Sequence, residues 1–327
     1  MSNPSSVSEK TDILPDIALA ERLFAELRER TSDTRGVTRM SYGPGEEIAH
    51  KMVQREAEAQ GFEIETDAAC NQYISLPGQT DAPRIVIGSH LDSVPMGGNF
   101  DGAAGVLMGL SVLSGLMAAR QMPPRPITVM AIRAEESAWF SASYIGSRAS
   151  FGRLKAQELD SIKRAGDCVS LGQAMAAAGG RVDDIAAGKA HWTPEEVGVF
   201  LEPHIEQGPV LELRGIPIGV VTDIRGSLRF RHAACSGAFA HSGTTPRESR
   251  RDAVLAVSAL ALELDRLWRQ LEEQGKDLTV TIGEVATDST EASFSKVAGF
   301  VRFSLDIRSN CRVTLDEFAT QLEMLTA

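Results

Sequence analysis

Two apolar runs set the terms for this chain. Residues 84–89 read Arg-Ile-Val-Ile-Gly-Ser and residues 126–133 read Pro-Ile-Thr-Val-Met-Ala-Ile-Arg, without the polar alternation of a half-exposed strand. Such runs predict strands buried on both faces of a sheet. Between them, residues 102–119 are apolar and carry Gly105, Gly109 and Gly115. That stretch falls short of the ~20 residues of a membrane span and reads as a buried helix. Strand, helix and strand at this spacing make a βαβ unit with a parallel sheet, so the fold class is α/β. A third strand of the same kind is expected at 197–202.

The texture changes near Gly215. A strand is expected at 228–236. A long amphipathic helix follows at 250–270, with Val254, Val257, Leu260, Leu264 and Leu267 on one face. Strands at 278–285 and 299–307 and a helix at 315–325 complete a βαββα order, that of a small two-layer, ferredoxin-like domain. The expected domains are therefore 1–214 and 215–327. Ahead of the first strand, helices are expected at 12–30 and 46–60, and two short strands within 62–76 turn at Cys70 and Asn71. Residues 1–10 are polar and read as a frayed arm rather than a signal peptide. Residues 166–194, rich in Gly, Ala and Asp, read as an inserted loop region.

Composition narrows the function classes. With 43% hydrophobic and 24% charged residues, the chain is an ordinary globular one and not a disordered one. A net charge of −11 argues against a nucleic-acid or anionic-membrane partner. Cys70, Cys168, Cys235 and Cys311 form no CxxC pair, which excludes a zinc ribbon and fits reduced, buried thiols in a cytoplasmic protein.

The residues suited to chemistry sit at strand ends, where ligands bind in open parallel sheets. His90 follows the first strand directly, in Gly-Ser-His-Leu-Asp (88–92). Asp92 is placed to accept the second ring N–H of His90, the pairing that orients a metal-ligating imidazole. Asp101 opens the buried helix after a glycine-rich loop, and reads either as a helix cap or as a ligand brought near His90. Glu135 and Glu136 follow the second long strand, either as a solvated acidic turn or as a ligand beside a group facing substrate. His204 follows the third strand, in Glu-Pro-His-Ile-Glu-Gln-Gly (202–208). Convergence of these strand ends on one sheet edge suits zinc, manganese or cobalt, because no thiolate is offered. His50, on a charged helix face, is expected to be solvated. His241, in Ala-His-Ser-Gly-Thr-Thr-Pro (240–246), reads equally as a substrate donor or a turn residue. No G-x-S-x-G elbow, phosphate loop or dinucleotide fingerprint is present.

Taken together, Gly-Ser-His-Leu-Asp-Ser-Val-Pro (88–95), Gly-Gly-Asn-Phe-Asp-Gly-Ala-Ala-Gly-Val (97–106), Glu135-Glu136 with Gly-Ser-Arg (146–148), His-Ile-Glu-Gln-Gly (204–208), His-Ser-Gly-Thr-Thr-Pro (241–246) and Phe-Ser-Leu-Asp-Ile-Arg (303–308) resemble the hydantoinase/carbamoylase family of amidohydrolases. That family includes N-carbamoyl-L-amino-acid hydrolases, allantoate amidohydrolases and β-ureidopropionases. The resemblance covers residues 12–327. It implies a zinc-exopeptidase-like catalytic domain with a mostly parallel sheet and a smaller ferredoxin-like lid and homodimerisation domain. It further implies two divalent metal ions, Zn or Mn, with Co or Ni also accommodated. His90, Asp101 and His204 would hold one ion, and Asp101 would bridge to a second held by Glu136. Glu135 would be the general base toward a water between the metals. Gln207 would contact substrate, His241 would stabilise the oxyanion in a partner subunit's site, and Arg308 would clamp the substrate carboxylate. The implied reaction is hydrolysis of the carbamoyl C–N amide bond of an N-carbamoyl-L-amino acid or related ureido acid.

Two departures from the family pattern bear on this reading. Ser295 stands where many relatives have an asparagine, thirteen residues before the Arg of the Asp-Ile-Arg motif, and a hydroxyl replaces an amide in substrate binding. The family's chain also continues beyond the point matched by residue 327, with a last histidine ligand in a Gly-Ser-His-Asn-Pro-like motif. The expectation is therefore a C-terminally truncated chain with its second metal site incomplete and apolar sheet surface uncovered. A metallo-exopeptidase of the same superfamily and a non-catalytic relative that binds metal weakly or only dimerises are the competing readings.

Overall fold

The computed structural model describes residues 13–326; the arm expected at 1–10 lies outside the described residues. The chain divides into two compact units, one running to Gly215 and one starting at Ile216.

In the first unit, α1 (Ile17–Thr31) and α2 (Pro44–Ala59) lead into a hairpin of β1 (Glu63–Thr66) and β2 (Gln72–Leu76). Asp16 caps α1 by accepting from the Leu19 N–H at 2.9 Å, satisfying a donor that the helix start leaves free. Then come β3 (Arg84–His90), α3 (Ala103–Ala118), β4 (Ile127–Ile132) and, after a helical insertion, β5 (Val197–Leu201). The sheet order is β1-β2-β4-β3-β5. It is antiparallel through the hairpin and β4, and parallel across β4, β3 and β5. The predicted βαβ unit is thus the centre of the sheet.

Helix α3 is buried on nearly every side, as an apolar helix without an amphipathic stripe must be. Gly109 lets it approach the sheet, since a Cβ there would meet Val129 and Ile87 at about 3 Å. Its polar residues are occupied: the Ser111 hydroxyl donates to the Asp16 carbonyl at 2.6 Å and the Ser114 hydroxyl to the Asp16 carboxylate at 3.0 Å. Leu23 and Leu27 of α1, Leu107, Leu110 and Leu113 of α3, and Val129 of β4 form the main core. Truncating one of these leucines to alanine costs about 2–5 kcal/mol.

The region expected as a loop at 166–194 instead holds two short helices joined by turns. The insertion after β4 comprises α4 (Ser137–Phe140), α5 (Ile145–Ser150), α6 (Ala156–Ser161), α7 (Leu171–Ala177) and α8 (Val182–Ala186). Leu159, Leu171, Met175 and Ile185 bury together in a second core, which stabilises helices too short to persist alone. His50 is also corrected: it is fully buried in α2, and among the described residues neither ring nitrogen has a hydrogen-bond partner. Strand β5 forms the sheet edge, and Val199, Phe200 and Leu201 are exposed on it. The unit closes with α9 (Val210–Leu213).

The second unit is an α/β sandwich. Strands β6 (Gly226–Ser236), β8 (Thr279–Thr281), β9 (Val285–Thr287) and β11 (Phe300–Ser309) form one antiparallel sheet, with β11 central. A two-stranded pair joins β7 (Ala240–His241) to β10 (Lys296–Val297). Helices α10 (Ala253–Glu273) and α11 (Arg312–Thr326) pack Leu264, Leu267, Leu271, Leu315 and Phe318 against Leu305 and Ile307. All four cysteines are free, but Cys168 and Cys311 are exposed, contrary to the expected burial. Among the described residues no helix is long and apolar enough to cross a membrane.

Candidate metal centre and active site

The parallel strands β3, β4 and β5 deliver their carboxyl ends to one edge of the sheet. His90 is the last residue of β3, Glu135 and Glu136 follow β4, and His204 follows β5. The site therefore follows from strand direction. Two overlapping groups of potential ligands meet there: His90 with Asp101 and His204, and His90 with Glu135 and Glu136. The second group shares His90 with the first, where the sequence reading had Asp101 as the shared ligand.

His90 is buried, with Nε2 3.8 Å from a Glu135 oxygen and 4.0 Å from Asp101 Oδ1. Its Nδ1 lies 3.0 Å from the main-chain carbonyl of Asp92 and 3.4 Å from the Asp92 carboxylate. The residue expected to orient the imidazole does so chiefly through its backbone, leaving Nε2 toward the acidic groups. Burial lowers the His90 pKa, but the Asp92 hydrogen bond and the Asp92 and Glu135 charges outweigh it and take it up to about 9. Burial pushes Glu135 up to about 7, opposed by His90 and reinforced by Asp92, Glu136 and Glu202. Burial also raises Glu136.

The Asp92 carboxylate has a second task that sequence reasoning missed. Its oxygens accept the backbone N–H groups of Glu135 and Glu136 at 3.1 Å each, and the Ser41 hydroxyl at 2.6 Å. It thereby ties the end of β3 to the turn that carries both glutamates. That turn passes through Ala134 at φ +51°. The Glu46 carboxylate holds it by accepting the Ala134 N–H at 2.8 Å while pairing with Arg133 at 3.1 Å. Asn71 accepts the Arg133 N–H at 2.8 Å and donates to the Gly146 carbonyl at 3.0 Å. The one sequence signal for this support was the polar character of residues that the fold buries.

Asp101 Oδ1 supplies the test for a cation. It is buried without a hydrogen-bond partner among the described residues, yet His204 Nε2 lies 3.3 Å away. A buried carboxylate oxygen left unpaired is costly, and a cation between it and the imidazoles removes that cost. The imidazole and carboxylate donor set is the one divalent zinc or manganese accepts. The residues present fit the group.

The other predicted residues are placed as follows. The Gln207 amide donates to Asp101 Oδ2 at 2.7 Å. In the second unit, exposed His241 lies in β7, its Nδ1 accepting the Gly243 N–H at 3.1 Å. Lys296 is its partner across the strand pair, and the preceding Ser295 accepts the Ser242 N–H at its carbonyl at 3.1 Å. Arg308 lies in β11, with Nε 2.7 Å from an Asp306 oxygen.

The sequence profile of Peptidase family M28 matches residues 71–190, the stretch that holds His90, Asp101, Glu135 and Glu136. The chain is 34% identical over 313 residues to the N-carbamoyl-L-amino-acid amidohydrolase of Paenarthrobacter aurescens, covering 93% of this chain and 74% of that one. It belongs to the hydantoinase/carbamoylase family of amidohydrolases. The allantoate amidohydrolase of Escherichia coli (strain K12) is 33% identical over 295 residues, covering 88% of this chain and 68% of that one. A hydantoinase/carbamoylase family amidase from Burkholderia ambifaria superposes with a TM-score of 0.77 at 30% identity, over 95% of this chain and 74% of its own. As a member of the family, the protein is a hydrolase of C–N amide bonds, and the M28 likeness implies divalent metal ions.

Proposed function

We propose that this amidohydrolase cleaves the carbamoyl C–N bond of N-carbamoyl-L-amino acids, releasing the amino acid, carbon dioxide and ammonia. The observation that carries the reading is the convergence of His90, Asp101, Glu135, Glu136 and His204 at the ends of three parallel strands. The name of the Paenarthrobacter relative supports the carbamoyl substrate.

His90, Asp101 and His204 would hold one cation, and Glu136 would help to hold a second. Divalent cations bound there supply Lewis acidity to the scissile carbonyl. Glu135 takes the proton of the attacking water and passes it to the leaving nitrogen. A carboxylate pushed up to about 7 is matched to that exchange near neutral pH. His241 is assigned to the oxyanion in a partner subunit's site, and Gln207 and Ser295 to substrate contacts. Arg308 is assigned to the substrate carboxylate, for which it offers a planar fork. Because Asp306 already engages that guanidinium, binding there exchanges one carboxylate for another. Leu255 and Leu262 of α10 are exposed, an apolar surface that suits the proposed homodimer.

The test is a panel of N-carbamoyl-L-amino acids, allantoate, β-ureidopropionate and dipeptides, assayed with Mn²⁺ or Zn²⁺ for release of ammonia or amino acid. Turnover of the carbamoyl amino acids, with Glu135→Gln lowering kcat by about 10²–10⁴-fold while metal uptake persists, is expected. Preferred turnover of allantoate would move the substrate to the reading favoured by the Escherichia coli relative. Cleavage of dipeptides alone would overturn the carbamoyl assignment.

A further inference from the structure

Arg39 is the bulkiest fully buried side chain among the described residues, and nothing in the chemistry above uses it. A buried guanidinium is costly unless its charge and donors are satisfied. Among the described residues Arg39 makes no salt bridge. Its donors go almost wholly to main-chain oxygens. Nε donates to the Leu91 carbonyl at 2.7 Å, and Nη2 to the carbonyls of Asn99 at 3.4 Å and Asp101 at 3.3 Å. Nη1 reaches the Asn99 side-chain oxygen at 3.5 Å. The Arg39 backbone is itself fastened to Ser93, donating to its hydroxyl at 3.0 Å and accepting its N–H at 2.9 Å.

These acceptors lie in two segments. Leu91 stands between His90 and Asp92, just past the end of β3, and Asn99 and Asp101 lie in the loop before α3. Neither segment has a strand or helix ladder to hold it, whereas the guanidinium is a rigid planar fork. Burial lowers the Arg39 pKa to about 10, with Asp92, Asp101 and Glu46 pulling it back up, so the fork is charged at neutral pH. Its charge faces the acidic groups that crowd the cation site.

We propose that Arg39 is a positioning residue of the cation site, tying the segment after His90 to the loop that carries Asp101 and so setting the separation of those two ligands. The inference rests on the metal reading of the site. Lysine keeps the charge but offers one nitrogen, which cannot span the Leu91 and Asp101 carbonyls together. The charge therefore does not explain a defect in Arg39→Lys, and the fork does.

The experiment titrates the full chain with Mn²⁺ and follows the electron paramagnetic resonance signal of the free ion, for wild type and Arg39→Lys. Far-UV circular dichroism verifies folding. The expected result is a folded variant whose Mn²⁺ affinity is about 10-fold to 100-fold weaker, with kcat reduced and KM for the carbamoyl substrate little changed. A folded Arg39→Lys with wild-type Mn²⁺ affinity overturns the proposal. If that variant does not fold, Asn99→Ala removes the Nη1 acceptor, together with the amide that donates to the Phe24 carbonyl at 3.0 Å, and leaves Arg39 in place. Weakened Mn²⁺ binding is expected there, and unchanged binding overturns the proposal. A wild-type chain that takes up no Mn²⁺ is a distinct result, which overturns the metal reading and this inference with it.

Discussion

Gly102 lies against the imidazole of His90, so closely that a Cβ at Gly102 would sit 2.4 Å from the ring atoms. Its backbone is at φ +64°, a conformation that L side chains rarely adopt. Gly102→Ala should therefore displace His90 and cost about 1–3 kcal/mol of stability, with Mn²⁺ uptake lost. Gly98, whose added Cβ would meet open space, is the control, and Gly98→Ala should leave both unchanged. Urea unfolding and metal titration on the two variants measure the contrast.

Asp92 links β3 to the glutamate turn through two backbone N–H groups. Asp92→Asn puts an amide NH₂ where one of those donors needs an acceptor. Metal affinity or kcat should fall about 10-fold to 100-fold. Ser41→Ala removes only the hydroxyl bonded to that carboxylate and should cost about 1 kcal/mol. Mn²⁺ titration and urea unfolding of the two variants give the comparison.

Arg133 and Glu46 form a buried pair behind the same turn. Arg133→Met leaves Glu46 without its counter-charge and should destabilise the fold by about 3–5 kcal/mol. Burial already raises Glu46 from 4.5 to about 7 against the pull of Arg133. Without Arg133 it rises further, so the folded state retains a proton that the unfolded chain releases. Stability of the variant should thus decline as pH climbs from 4.5 through the raised value. Urea unfolding at pH 5 and pH 8 measures it, and greater stability at pH 8 would contradict the assignment.

Removal of divalent ions should abolish turnover, and Mn²⁺ or Zn²⁺ should restore it. An ion present at 100 times its Kd should also stabilise the folded chain by about 2.7 kcal/mol. Thermal scans before and after chelation read this directly, and an unchanged Tm would count against cation binding at Asp101 and His204.

Much of the site was legible because strand ends are legible. The apolar runs of β3 and β4 betrayed their burial, and their parallel direction put His90 and Glu135 on one edge. The supporting residues were not legible. His50 and Glu46 lie on a helix whose composition suggests a solvated face, yet both are buried. Helices α7 and α8 read as loop because Gly and Ala give little amphipathic signal, and only tertiary burial of Leu171, Met175 and Ile185 makes them persist.

Local sequence determined which segments became strands and helices, and so which residues emerge at the ends of β3, β4 and β5. Hydrophobic periodicity and turn residues act over short range, and a sequence displays them openly. Only the tertiary structure decided that the carboxylates of Asp92 and Glu46 brace the Glu135 turn and that Arg39 spans two loops. Those bonds join residues from 43 to 88 positions apart. Burial sets how strongly such polar partners must be satisfied, and burial is a property of the packed chain alone.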